Sequence, residues 1–136
     1  MSLCKVHRPL MLALLLTALS GSVFAVDGVI LIDQNRALAG SVTPGDFPGF
    51  PISITQPGSY RLSGNLTVAA NVINGIEISA NNVTLDLNGF HISGPAPTCA
   101  TLGDPACTAV FGVTSFAFNQ YKTIKVRNGA ITGFNG

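Results

Sequence analysis

The chain has no tryptophan, two histidines, three cysteines and little charge: Asp, Glu, Lys and Arg make up only 10% of its 136 residues. Each shortage removes a class of function. A formal net charge of +1 gives no field strong enough to gather nucleic acid or an anionic membrane surface. His91 is the only histidine beyond the amino-terminal head, so a metal centre would lack the further ligands it needs, and no cofactor is implied. There is no Gly-x-Ser-x-Gly elbow, no phosphate loop and no cysteine–histidine pairing of catalytic spacing. What the chain does have is apolar residues (47%) and glycine (15), which suits short buried strands joined by tight turns.

One apolar run stands apart. Met1 to Arg8 is a short basic head with Lys5, His7 and Arg8, followed by Leu10 to Leu16 and on to Val23, then the small-residue site Val23-Phe24-Ala25. This three-part form predicts a secretory signal peptide over residues 1–25 and a secreted, periplasmic or extracellular product. An uncleaved anchor is the alternative, but the run is short of the roughly 20 residues that span a bilayer. After cleavage, Arg36, Arg61, Lys122, Lys125 and Arg127 face Asp27, Asp33, Asp46, Glu77, Asp86 and Asp104, close to neutrality, with no membrane partner implied. Cys99 and Cys107 bracket a turn-rich stretch; in an exported chain they are most simply a disulfide closing one surface loop.

The remainder repeats itself. Tyr60 to Val68 and Ile76 to Leu85 each read as two short alternating segments around a Ser/Asn turn, and Ile124 to Gly133 is a degenerate third copy. A period of about 20 residues with strand-like alternation predicts a solenoid, in which each unit buries its apolar face only against its neighbours. In Val83-Thr84-Leu85-Asp86-Leu87 the apolar residues point inward and Thr84 and Asp86 outward, then Asn88-Gly89 turns the chain. Ile124 and Val126 repeat the inward positions, Lys125 and Arg127 the outward ones, before Asn128-Gly129 and then Ala130 and Ile131. The paired Asn-Gly corners suit the left-handed backbone conformation, with each asparagine amide expected to bond the asparagine of the adjacent repeat. Residues 26–58, with a Pro/Gly-rich loop over 40–51, read as an N-terminal β cap over the first open edge, and 59–136 as the stacked coils, with a Cys-containing loop at about 94–109.

At Asn82-Val83-Thr84-Leu85-Asp86-Leu87-Asn88-Gly89-Phe90-His91-Ile92-Ser93-Gly94 the chain resembles secreted right-handed parallel β-helix proteins of the pectin-lyase-like superfamily. Pro57 to Leu62 and Val126-Arg127-Asn128-Gly129 add to the likeness, which covers roughly residues 27–136. It implies an all-β solenoid of two to three coils, fewer than the superfamily usually stacks. The stop in mid-coil at Asn135-Gly136 is expected to mark a truncated or fragmentary product, or one that needs a partner over its C-terminal edge, with self-association there as one outcome. The likeness does not imply one activity, because the superfamily holds lyases, hydrolases, tailspikes and adhesins.

For the chemistry, a lyase needs acidic residues to hold calcium and a base to take the proton alpha to a carboxyl, and a glycosidase needs two facing carboxylates. Asp86 and Glu77 are the acids within the coils, and they fall on different strands. Asp86 and Arg127 occupy matching outward positions and are expected to form an exposed cross-strand ion pair. Lys122, Lys125 and Arg127 are the candidates for binding an anionic sugar. Asn65-Leu66-Thr67 and Asn82-Val83-Thr84 match glycosylation acceptors, but the repeat itself accounts for both. The leading expectation is a structural, adhesive or carbohydrate-binding protein acting on a polysaccharide or cell-surface glycan, with no complete active site. The alternative is the N-terminal portion of a polysaccharide-active enzyme.

Overall fold

The computed structural model describes residues 28–70, 73–95, 109–115 and 123–135. The expected signal peptide, Cys99, Cys107 and Lys122 lie outside the described residues. In chain order the elements are β1 (Ile30–Ile32), α1 (Gln34–Ala39), β2 (Ile52–Ile54), β3 (Gly58–Leu62), β4 (Leu66–Thr67), β5 (Ile76–Ile78), β6 (Val83–Asp86), β7 (His91–Ser93), β8 (Val113–Ser115), β9 (Ile124–Arg127) and β10 (Ala130–Thr132). Every strand pairing is parallel. The protein is thus all-β apart from one short helix among the described residues, which include no helix long and apolar enough to cross a membrane.

The strands form a first sheet β1-β3-β6-β9, a second β2-β5-β8 and a third β4-β7-β10. From β2 onward the chain visits the second, first and third sheets in that order, three times over. Alternation explains how such short strands hold: inward residues stack in register on their equivalents. Ile52 pairs with Ile76 and Ile76 with Val113, Tyr60 with Leu85 and Leu85 with Val126, Leu66 with Ile92 and Ile92 with Ile131. Ile52, Ile76, Leu66, Leu85 and Ile92 are fully buried, each burial contributing about 1.5–3 kcal/mol. Burial also raises the Tyr60 phenol above its ordinary pKa, and its hydroxyl donates to the Gln56 carbonyl at 2.8 Å.

Several expectations need correction. Tyr60–Val68 and Ile76–Leu85 are not equivalent copies, because Tyr60 pairs with Leu85 and Ile76 with Ile52. The structural repeat is therefore about 25 residues, lengthening to 41 between Val83 and Ile124. The two stretches look alike because each is strand, Ser/Asn turn, strand, yet the first joins the first sheet to the third and the second joins the second sheet to the first. After the corner, Ala130 falls in register with exposed His91 and Ile131 with buried Ile92.

The asparagine corners adopt the left-handed conformation, with φ of 53° at Asn88 and 60° at Asn128, joined by Asn82 at 54°. Their amides do not bond one another. Asn88 Nδ2 donates to the Leu62 carbonyl at 3.3 Å and Asn128 Nδ2 to Asp86 Oδ1 at 3.1 Å, because the backbone carries the corner-to-corner contact from Gly89 N–H to the Asn128 carbonyl at 2.6 Å. A Cβ at Gly129 would run into Leu87 Cβ, so that corner packs too closely for any side chain.

Residues 26–58 do more than lie over the sheets. They supply β1 and β2, and they contain α1, which the sequence pattern alone did not suggest. Asp33 caps the helix by accepting from Arg36 N–H at 2.8 Å, and Gly40 takes the positive φ at its end. The same segment satisfies two starting edges with side chains. On β2, Asp46 Oδ1 accepts from Ser53 N–H at 2.8 Å, while Thr43 Oγ1 donates to the Ser53 carbonyl at 2.6 Å and accepts from Thr55 N–H at 3.1 Å. On β4, the Gln34 amide donates to the Thr67 carbonyl at 3.2 Å and accepts from Thr67 N–H at 2.8 Å. Those groups point away from the neighbouring strand, so the side chains stand where another strand would pair.

Candidate functional site

Charge gathers on the outer face of the first sheet. Register aligns Arg61, Asp86 and Arg127 across β3, β6 and β9, and one outward position earlier it aligns Ser59, Thr84 and Lys125. Alternation dictates this, because the same strands send Tyr60, Leu85 and Val126 to the other face.

Asp86 is the hub. Its Oδ2 lies 3.2 Å from Arg127 Nη2 and 3.8 Å from Arg61 Nη2. Its Oδ1 accepts from Asn88 N–H at 2.9 Å and from Asn128 Nδ2 at 3.1 Å. The Asn128 and Asn88 hydrogen bonds, helped by the Arg127 and Arg61 charges, hold its carboxyl below the usual carboxylate range. The expectation of an exposed pair is corrected accordingly: the Asp86 side chain is only 10% accessible, against 44% for Arg127 and 43% for Arg61. The corner loops fold over the carboxylate and leave the two arginine side chains partly in water, with Arg61 Nε buried and without a hydrogen-bond partner among the described residues.

The other described carboxylates also serve the framework. Asp33 caps α1, Asp46 accepts from Val42 and Ser53, and Glu77 accepts from Asn74 Nδ2 at 2.9 Å. Among the described residues, no three His, Cys, Asp or Glu side chains gather where they could hold a metal ion. His91 is exposed on the third sheet, its backbone N–H donating to Asn65 Oδ1 at 3.0 Å. The structure therefore brings together Lys125 and Arg127 of the expected sugar-binding residues and adds Arg61, Ser59 and Thr84. These additions were hidden by the misread repeat: only pairing Tyr60 with Leu85 sets Arg61 beside Asp86. No family model, curated protein or solved structure matches the chain.

Proposed function

We propose that the chain is a right-handed parallel β-helix of the pectin-lyase-like kind, exported from the cell, whose first-sheet face binds an anionic polysaccharide in a structural or adhesive role. The cyclic visiting of three parallel sheets and the left-handed asparagine corners support the architecture. One observation carries the binding reading: Arg61, Lys125 and Arg127 share a solvent-facing surface with a single carboxylate that two of them already flank. A uronate chain crossing β3, β6 and β9 would meet these cations together with the Ser59 and Thr84 hydroxyls. Binding without chemistry also agrees with the roles of the described carboxylates: Asp33 caps α1, Asp46 fills an edge, Glu77 accepts from Asn74 and Asp86 pairs with Arg127.

Affinity electrophoresis tests the proposal. Polygalacturonate in the gel is expected to retard the protein, Lys125→Glu to reduce retardation several-fold, and molar salt to abolish it, since screening then acts within about 3 Å. Equal mobility with and without polygalacturonate, or equal retardation by a neutral glucan, overturns it. Release of unsaturated sugar products would replace binding with lyase chemistry.

A further inference from the structure

The outer face of the first sheet carries a fixed spacing as well as a charge. Strands of a sheet lie about 4.8 Å apart, so the register that aligns Arg61, Asp86 and Arg127 sets the two arginines about 10 Å apart with one strand between them. The middle position already holds an anion. Asp86 is 10% accessible and its Oδ2 lies against both guanidinium groups, so the row offers solvent a cation, a neutral gap and a second cation. Thr84 stands beside that gap, one outward position earlier on β6.

The two arginines are not equally committed. Arg127 Nη2 lies 3.2 Å from Asp86 Oδ2, whereas Arg61 Nη2 lies 3.8 Å away, well beyond the length of about 2.7–2.9 Å at which such groups hydrogen-bond strongly. Arg61 Nε–H is buried and donates to nothing among the described residues, a costly state for a buried donor. A ligand carboxylate that drew the guanidinium outward would accept from Nε and an Nη together and so relieve it.

Resting on the anionic-polysaccharide reading above, we infer that the ligand of this face is a polysaccharide in which acidic and neutral sugars alternate. Sugar rings linked through opposite sides advance a chain by nearly one strand spacing each. A chain lying across β3, β6 and β9 then sets its acids at Arg61 and Arg127 and a neutral sugar over Asp86, facing Thr84. A polymer acidic at every sugar sets a carboxylate over Asp86 instead, and like charges brought together cost affinity. Lys125 stands off this track, two residues along β9 from Arg127 and about 7 Å away. It attracts any polyanion without reading the spacing.

Affinity electrophoresis of the whole protein tests this with three polymers at equal carboxylate concentration. They are hyaluronan, in which glucuronate alternates with N-acetylglucosamine, polygalacturonate, and polygalacturonate with half its carboxyls methyl-esterified at random. The last matches the mean charge density of hyaluronan without its regular spacing. Hyaluronan is expected to retard the protein several-fold more strongly than either of the others. Arg61→Gln should bring the three to one level, and Arg61→Lys, which keeps the charge but not the fork, should lose most of the preference while retaining the circular dichroism of the parent. Lys125→Glu should weaken all three and keep their order. Polygalacturonate equal to hyaluronan, the half-esterified polymer equal to hyaluronan, or a preference that survives Arg61→Gln would each overturn the inference while the binding reading stands. Retardation by none of the three would overturn the binding reading with it.

Discussion

At Asp86, two hydrogen-bond donors and two guanidinium groups converge on a side chain that the corner loops largely cover. Its carboxyl titrates lower in the folded protein than in the unfolded chain, where the ordinary value is about 4. Between the two values the unfolded chain binds more protons, so stability rises with pH across that interval. The contribution is complete above about pH 4 and is lost as pH falls through the lower folded value. Urea unfolding of the parent and of Asp86→Asn between neutrality and strong acid should therefore show the difference between them shrinking below about pH 4. The Asp86–Arg127 pairing was legible beforehand because matching inward Val83 and Leu85 to inward Ile124 and Val126 puts both residues at the same outward position, although the Asn-Gly corners that follow are offset by one residue. The burial of Asp86 was not legible, because it comes from Asn88 and Asn128 folding back over the carboxylate, and strict alternation treats such a position as solvent-facing.

Among the elements, β4 has only two residues, and its free side is held by one side chain, the Gln34 amide. Gln34→Ala removes both hydrogen bonds, and a loss of about 1–2 kcal/mol is expected at the usual net value of each. Faster exchange of the Thr67 amide should accompany it, measured by native-state hydrogen exchange, whereas Val68 N–H remains bonded to the Ser93 carbonyl. The strands themselves were readable from alternation: Ile76-Glu77-Ile78 and Val83-Thr84-Leu85 fall on observed elements. Helix α1 escaped notice although its signals were present, Asp33 at the start and Gly40 at the end. Its six residues bury only Ala37, too little for a hydrophobic period to develop. The edge-filling roles of Gln34, Thr43 and Asp46 depend on partners that only the folded chain brings near.

For the whole molecule, burial falls off along each column of stacked side chains. Leu85 lies between Tyr60 and Val126 and is fully covered, while Val126, among the described residues, has a stacked partner on one side only. Leu85→Ala is expected to cost about 2–5 kcal/mol, as other buried leucine truncations do. Val126→Ala should cost under about 1 kcal/mol, because less surface is withdrawn from water there. Chemical denaturation of the two variants checks the gradient. Parallel strands in stacked sheets could be anticipated from repetition and alternation, but the spacing of the repeat could not, because a strand's pattern records which side is buried and not which sheet it joins. The sealing of β2 and β4 has a consequence for biosynthesis. Asp46 and Thr43 reach Ser53 and Thr55 nearby, and Gln34 reaches Thr67 only 33 residues on, so everything needed to close the starting edges of the second and third sheets has been synthesised by Val68. A chain made amino terminus first can thus lay a foundation before its later strands exist and add them in the order of translation, with growth directed away from those closed edges.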